Sequence, residues 1–272
     1  TTATTMDTAQ NPAPDRTFSA ELEYLSLFNL ALQQNAFPVV SGLNLHNSTG
    51  RDLTDLECSF SSIPLLIRPK SIHVDSLKAG EKLALHELGI ELDYTRLAPL
   101  TEAVRGKLRL EIRSGEELLF TRDCDVTAFA PDQWLGSQFM PELLASFVTP
   151  NQEEIQIVLG AVAEELRKAT GSSAIEGYQA DKTRVYEICS AIFRALHARG
   201  IRYSNPPASF GVAGQRIRLA DAVLHYRLGT CLDTAILFAS VMEQCKLHPV
   251  ILLQKGHAYV GCHLVAPGSA RR

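Results

Sequence analysis

No run of lysine or arginine concentrates positive charge anywhere in the 272 residues, whose formal net charge is -4. Gripping a phosphate backbone requires such a concentration, so direct nucleic-acid binding is not expected of this chain. Apolar runs fall well short of the roughly 20 residues that a bilayer-spanning helix needs. The N-terminal TTATTMDTAQNPAPDRT lacks the charged head and apolar core of a signal peptide, and residues 1–19 read as a disordered leader. No membrane association is expected. Six cysteines, at 58, 124, 189, 231, 245 and 262, include none of the close pairs of a zinc or iron site. Neither a metal nor any other cofactor is therefore expected. Free, scattered thiols in apolar stretches read mostly as small core residues of a cytoplasmic protein.

The composition is that of a globular chain, 46% apolar and 21% charged. Residues 20–130 have the texture of strands: FPVVSGLNLHN, DLECSFSS, SIHVDSL, KLALHELGIELDY, GKLRLEIRSG and EELLFTRDCDVTAFA. Turn signals such as Ser48-Thr49-Gly50, Lys78-Ala79-Gly80 and Ser114-Gly115-Glu116 separate them. GKLRLEIRSGEELLFTRDCDV alternates on both sides of a Ser-Gly turn, which predicts a hairpin with Leu108, Leu110 and Ile112 on one face. Many short antiparallel strands of this kind predict an immunoglobulin-like β-sandwich.

Residues 131–272 follow a different pattern, so the fold class expected for the whole chain is α+β. Pro141 suits the first turn of a helix. QEEIQIVLGAVAEELRKATG and KTRVYEICSAIFRALHARG repeat apolar residues at helical spacing, and each stops at a glycine. IRYSNPPASFGVAGQRIRL is a long Pro- and Gly-rich loop, followed by a second loop ending in HYRLGT. Then come the helix CLDTAILFASVMEQCK, a strand PVILLQ, a KGH turn and a strand AYVGCHLV. The sequence stops soon after that last strand, as expected of a piece of a longer protein.

Cys231 stands in the first turn of the apolar helix, with Thr230 as its cap. A thiolate there gains from the helix dipole, and the neighbouring N–H groups can hold an oxyanion. His257 follows Gly256 into a strand that can bring its imidazole to the helix end. A Cys–His pair of this kind shuttles the thiol proton to a leaving group. The alternative for these two residues is a core cysteine and a turn histidine bonded to backbone. Asp233, two residues along, does not share the Cys231 face and is expected to complement the helix N-terminus.

The segments PELLASFVTPN, IEGYQ and YSNPPASFGVAGQRIRLADAVLHYRLGTCLDTAILFASVMEQCKLHPVILLQKGHAYVG carry a family resemblance, as do LAPLTEAVRGKL and Trp134-Leu135-Gly136. Over residues 20–264 the chain resembles the N-terminal region of large bacterial proteins that carry a conserved domain of unknown function (DUF4011). In that family the region resembles a transglutaminase-like core of the papain-type cysteine peptidase superfamily. It precedes a superfamily 1 helicase-like ATPase and often a nuclease-like domain, an architecture that suggests defence against foreign DNA.

The resemblance implies Cys231 as nucleophile and His257 as base. It also implies Gln215 as the upstream glutamine that donates to the oxyanion. The third member of the pattern, an Asp, Glu or Asn that orients the histidine, has no counterpart after His257. Ser209 and Phe210 are candidates for the substrate entrance, and Arg216 for recognising a carboxylate or phosphate. Two functions follow as expectations. One is an amide hydrolase or acyl transferase acting on a protein or peptide, within a chain whose other partners are its helicase-like and nuclease-like domains. The other is a catalytically degenerate protease fold serving as a sensor or interaction module.

Overall fold

The computed structural model describes residues 17–205, 211 and 213–267. They form a mixed α+β fold with several sheets, divided into two compact units. The first comprises described residues up to Pro99 together with Val104–Ala128; the second comprises Leu100–Ala103 and the described residues from Phe129 on.

In the first unit, β1 (Phe18–Tyr24), β2 (Leu27–Phe28), α1 (Leu30–Gln34), β3 (Val40–Asn47), β4 (Leu53–Ile63), β5 (Lys70–Leu77) and β6 (Lys82–His86) lead to a short α2 (Tyr94–Leu97). The long hairpin β7 (Val104–Ser114) and β8 (Glu117–Ala128) completes it. One sheet has the order β1-β3-β6, the other β2-β8-β7-β4-β5. All neighbours are antiparallel except β2 and β8. The alternation in β7 is met: Leu108, Leu110 and Ile112 are buried, and Phe60 and Cys58 of β4 stand opposite Leu110 and Ile112. The turn is the one expected, with Gly115 at φ 56, a left-handed value that favours glycine. KLALHELGIELDY departs from its expected strand after His86. Glu87 and Gly89 take φ 52 and 63, which ends the extended run before α2.

The second unit opens with β9 (Gln133–Trp134), followed by a 3-10 helix at Pro141–Phe147 with proline in its first turn. Next come α3 (Glu153–Thr170), α4 (Lys182–His197), β10 (Arg202–Tyr203) and β11 (Gln215–Arg216). It ends with α5 (Ala220–Tyr226), β12 (Leu228–Gly229), α6 (Cys231–Gln244), β13 (Pro249–Gln254) and β14 (His257–Cys262). The apolar stripes of α3 (Ile155, Val158, Val162) and α4 (Val185, Ile188, Ile192) meet Leu237 and Val241 of α6 in one core. The stretch ending in HYRLGT, expected as a loop, instead contains the helix α5, which takes in His225 and Tyr226. Its Ala220 and Val223 are buried in that same core, and packing of two small residues outweighs a short and weakly patterned sequence.

Arg184 fixes the approach of α4 to the end of α3. Its guanidinium, largely buried, donates to Thr170 Oγ1 at 3.1 Å and to the Ala174 carbonyl at 2.6 Å, and reaches Glu187 at 3.0 Å. Arg184→Met keeps the aliphatic stem but strands these acceptors. It should lower stability by about 1–3 kcal/mol in urea unfolding.

Candidate functional site

The start of α6 is built by a reciprocal cap. Asp233 N–H donates to Thr230 Oγ1 at 3.2 Å, while the Thr230 N–H donates to Asp233 Oδ2 at 2.9 Å. The Asp233 carboxylate is fully buried and also accepts the Arg218 backbone N–H at 2.9 Å and the Arg218 guanidinium at 3.1 Å. A buried charge requires such partners. Asp233 thus serves the helix N-terminus, as expected from its spacing, and its charge is matched by Arg218.

Cys231 follows the cap directly and is 3% exposed. Two short parallel strands bring Tyr203 to it: β10 pairs with β12 so that Tyr203 lies opposite Gly229. The Tyr203 phenol stands beside the Cys231 sulfur. Loss of hydration, then the neighbouring sulfur, push the Tyr203 phenol above its usual value. At Gly229 a Cβ would lie 3.2 Å from the Thr234 methyl and 3.4 Å from the Asp233 Cβ, so the close approach of β12 to α6 suits glycine.

His257 begins β14. It pairs with Gln254 across a two-residue turn whose Gly256 has φ 75. The imidazole is exposed, tilted against the Tyr259 ring at a centroid distance of 5.9 Å. Both β13 and β14 pack on α6. As a result Cys231 and His257 open onto one cavity of about 490 Å³, with Cys189, Phe193, Tyr203, Phe238 and Tyr259 among its walls.

Gln215 does not line this cavity. It sits on β11 opposite Trp134 of β9, 4% exposed. Its Oε1 accepts the Gly211 N–H at 2.8 Å, and its buried Nε2 has no hydrogen-bond partner among the described residues. The same holds for the Trp134 Nε1. Arg216 is engaged within the unit, donating to Asp132 at 2.6 Å and to the Thr101 carbonyl and lying 3.4 Å from Glu102. It fastens β11 to its surroundings. Ser209 and Phe210 lie outside the described residues.

Sequence reasoning missed Phe193, Phe238 and Tyr259 among the walls. The signal was present in Phe193, an aromatic that falls off the apolar stripe of α4 and is 58% exposed. The Cys262 thiol, at the far end of β14, is held down to about 7, chiefly by the neighbouring Cys189 thiol, with Tyr178 and the His248 N–H adding to it against the effect of burial. Cys245, which caps the C-terminus of α6, is buried, and its thiol is pushed up to about 12.

Among the described residues no cluster of three or more His, Cys, Asp or Glu side chains could hold a metal ion. Nor is any described helix long and apolar enough to cross a membrane. The chain matches no protein-family model and no curated protein.

Thr230→Ala removes the cap acceptor and should lower stability by about 0.5–2 kcal/mol in chemical denaturation.

Proposed function

We propose that residues 131–267 form a transglutaminase/papain-like domain that attacks an amide or thioester through Cys231, and that residues 20–130 are an immunoglobulin-like sandwich serving as its docking or spacing module. The observation that carries this reading is the common cavity: a cysteine in the first turn of a capped helix and a histidine at the start of the adjoining strand face one solvent-open space. His257 takes the thiol proton and the thiolate adds to the carbonyl carbon. Backbone N–H groups at the α6 N-terminus receive the developing oxyanion. The imidazolium then returns the proton to the departing amine, leaving an acyl-thioester. Water resolves it in hydrolysis and a primary amine in transfer; proteolysis is the favoured outcome.

By its resemblance to the DUF4011 proteins, the domain belongs to a larger cytoplasmic bacterial protein with helicase-like and nuclease-like parts and a role in defence. It acts there on a protein or peptide without a cofactor. A second reading, a degenerate protease fold used as a sensor, draws support from one observation. No Asp, Glu, Asn or Gln is among the described residues lining the cavity, so none stands ready there to orient His257.

Iodoacetamide labelling against pH, with adducts located by mass spectrometry, separates the two. Cys262 is the internal competitor whose signal must be resolved from that of Cys231. In the active reading Cys231 labels below neutral pH, and His257→Ala slows it by at least about a hundredfold, the low side of general-base assistance. A Cys231 that labels no faster than Cys245, with or without His257, establishes the degenerate scaffold.

A further inference from the structure

Three cysteines gather where the open end of the β13–β14 hairpin meets α4 and the end of α6. Cys262 ends β14, Cys189 lies on α4 and Cys245 follows α6. All three are free thiols. Cys189 and Cys262 are neighbours, each partly exposed and packed on the core that encloses Cys245. Cys189 also lines the solvent-open cavity at Cys231, which gives a small solute a way in.

The surroundings sort these thiols into distinct roles. Tyr178 pins the open end of the hairpin. Its hydroxyl donates to the His263 carbonyl at 2.7 Å and accepts the His248 N–H at 3.0 Å, and its ring stacks on that of His248 at 5.4 Å. The Cys262 sulfur sits in this frame, 3.8 Å from the Tyr178 hydroxyl and 3.3 Å from the His263 carbonyl. The Cys189 thiol, with Tyr178 and the His248 N–H behind it, outweighs burial and favours the ionised form of Cys262, about 7. The same contact, and then burial, push the Cys189 thiol well above its usual value, so it keeps its proton beside the other sulfur. Cys245 is buried and pushed up to about 12, which leaves it out of the chemistry. A reachable thiolate with a second thiol at its side is how cysteines that respond to oxidants are arranged.

We propose that Cys262 and Cys189 are a peroxide-sensitive pair that closes into a disulfide between β14 and α4, with Cys262 attacking and Cys189 resolving. The Cys262 thiolate attacks one oxygen of hydrogen peroxide and the O–O bond breaks. The sulfur becomes a sulfenic acid, and the departing hydroxide takes a proton to become water. Cys189 then gives up its proton, its sulfur displaces the sulfenic hydroxyl, and a second water leaves. Two thiols and one peroxide thus give one disulfide and two waters, with two electrons passing from sulfur to oxygen. Cys189 and Val260 both line the cavity at Cys231, so the bond ties two of its walls together. The pair acts whether or not Cys231 is a nucleophile.

The test treats the full chain with hydrogen peroxide near neutral pH, blocks the remaining thiols with N-ethylmaleimide and maps the peptides without reduction. The expected product is an intramolecular Cys189–Cys262 cross-link that dithiothreitol reverses. Cys189→Ala should leave a Cys262 sulfenic acid that dimedone traps, and should raise the pH midpoint of Cys262 oxidation above about 7. Cys262→Ala should leave Cys189 unoxidised at the same dose of peroxide. A parent chain in which Cys262 oxidises no faster than Cys245, or goes on to the sulfinic acid while Cys189 stays free, overturns the proposal. So does a disulfide formed only between other cysteines. These outcomes are read in the parent chain, so they decide the matter even where a variant fails to fold.

Discussion

The carboxylate of Asp233 is fully buried at the start of α6, and three N–H donors meet it there, from Thr230, the Arg218 backbone and the Arg218 side chain. An ionised group in that position is tolerated only with its partners in place. Satisfying it fixes which residue begins the helix, and so sets Cys231 in the first turn with the free N–H groups beside it. The same carboxylate holds Arg218, two residues after β11, against the start of the helix.

The helix it starts is unlike its neighbours. Residues on nearly every side of α6 are buried, among them Leu232, Ile236, Leu237, Ala239 and Val241, whereas α3 and α4 each bury a single stripe. A helix apolar all round must be enclosed. Here α3, α4 and α5 cover it on one side and the β13–β14 hairpin on another. The cavity is the gap left where those layers part, and its walls are therefore core residues at their outer edge. That explains why a nucleophile candidate, two phenylalanines and a histidine share one space. It also explains why Cys231 itself is scarcely exposed.

Much of this was legible in the chain. The helical spacing of α3 and α4, their glycine stops, the β7–β8 hairpin and the Thr-Cys-Leu-Asp start of α6 are local signals, and local energetics honour them. The helix α5 was not legible, because seven residues carry too little pattern and its stability comes from packing against α6. The end of β6 was missed because the strand-like alternation of Leu88, Ile90 and Leu92 continues past Glu87 and Gly89 while the backbone turns left-handed there. Among the candidate site residues, Arg216 looked available in sequence. Its partners Asp132 and Glu102 lie about 84 and 114 positions away, beyond any local reading.

The sequence by itself determined the capped start of α6, the thiol placed on it and the glycine turn before His257, since each depends on residues within a few positions of one another. The tertiary structure alone decided what surrounds that thiol. Tyr203 reaches it through the parallel pairing of β10 with β12, His257 through the packing of a hairpin on α6, and Phe193 from a helix nearly 40 residues upstream. Such contacts are selected by the free energy of closing the core around α6, which depends on the whole set of buried faces and not on any segment's own preference.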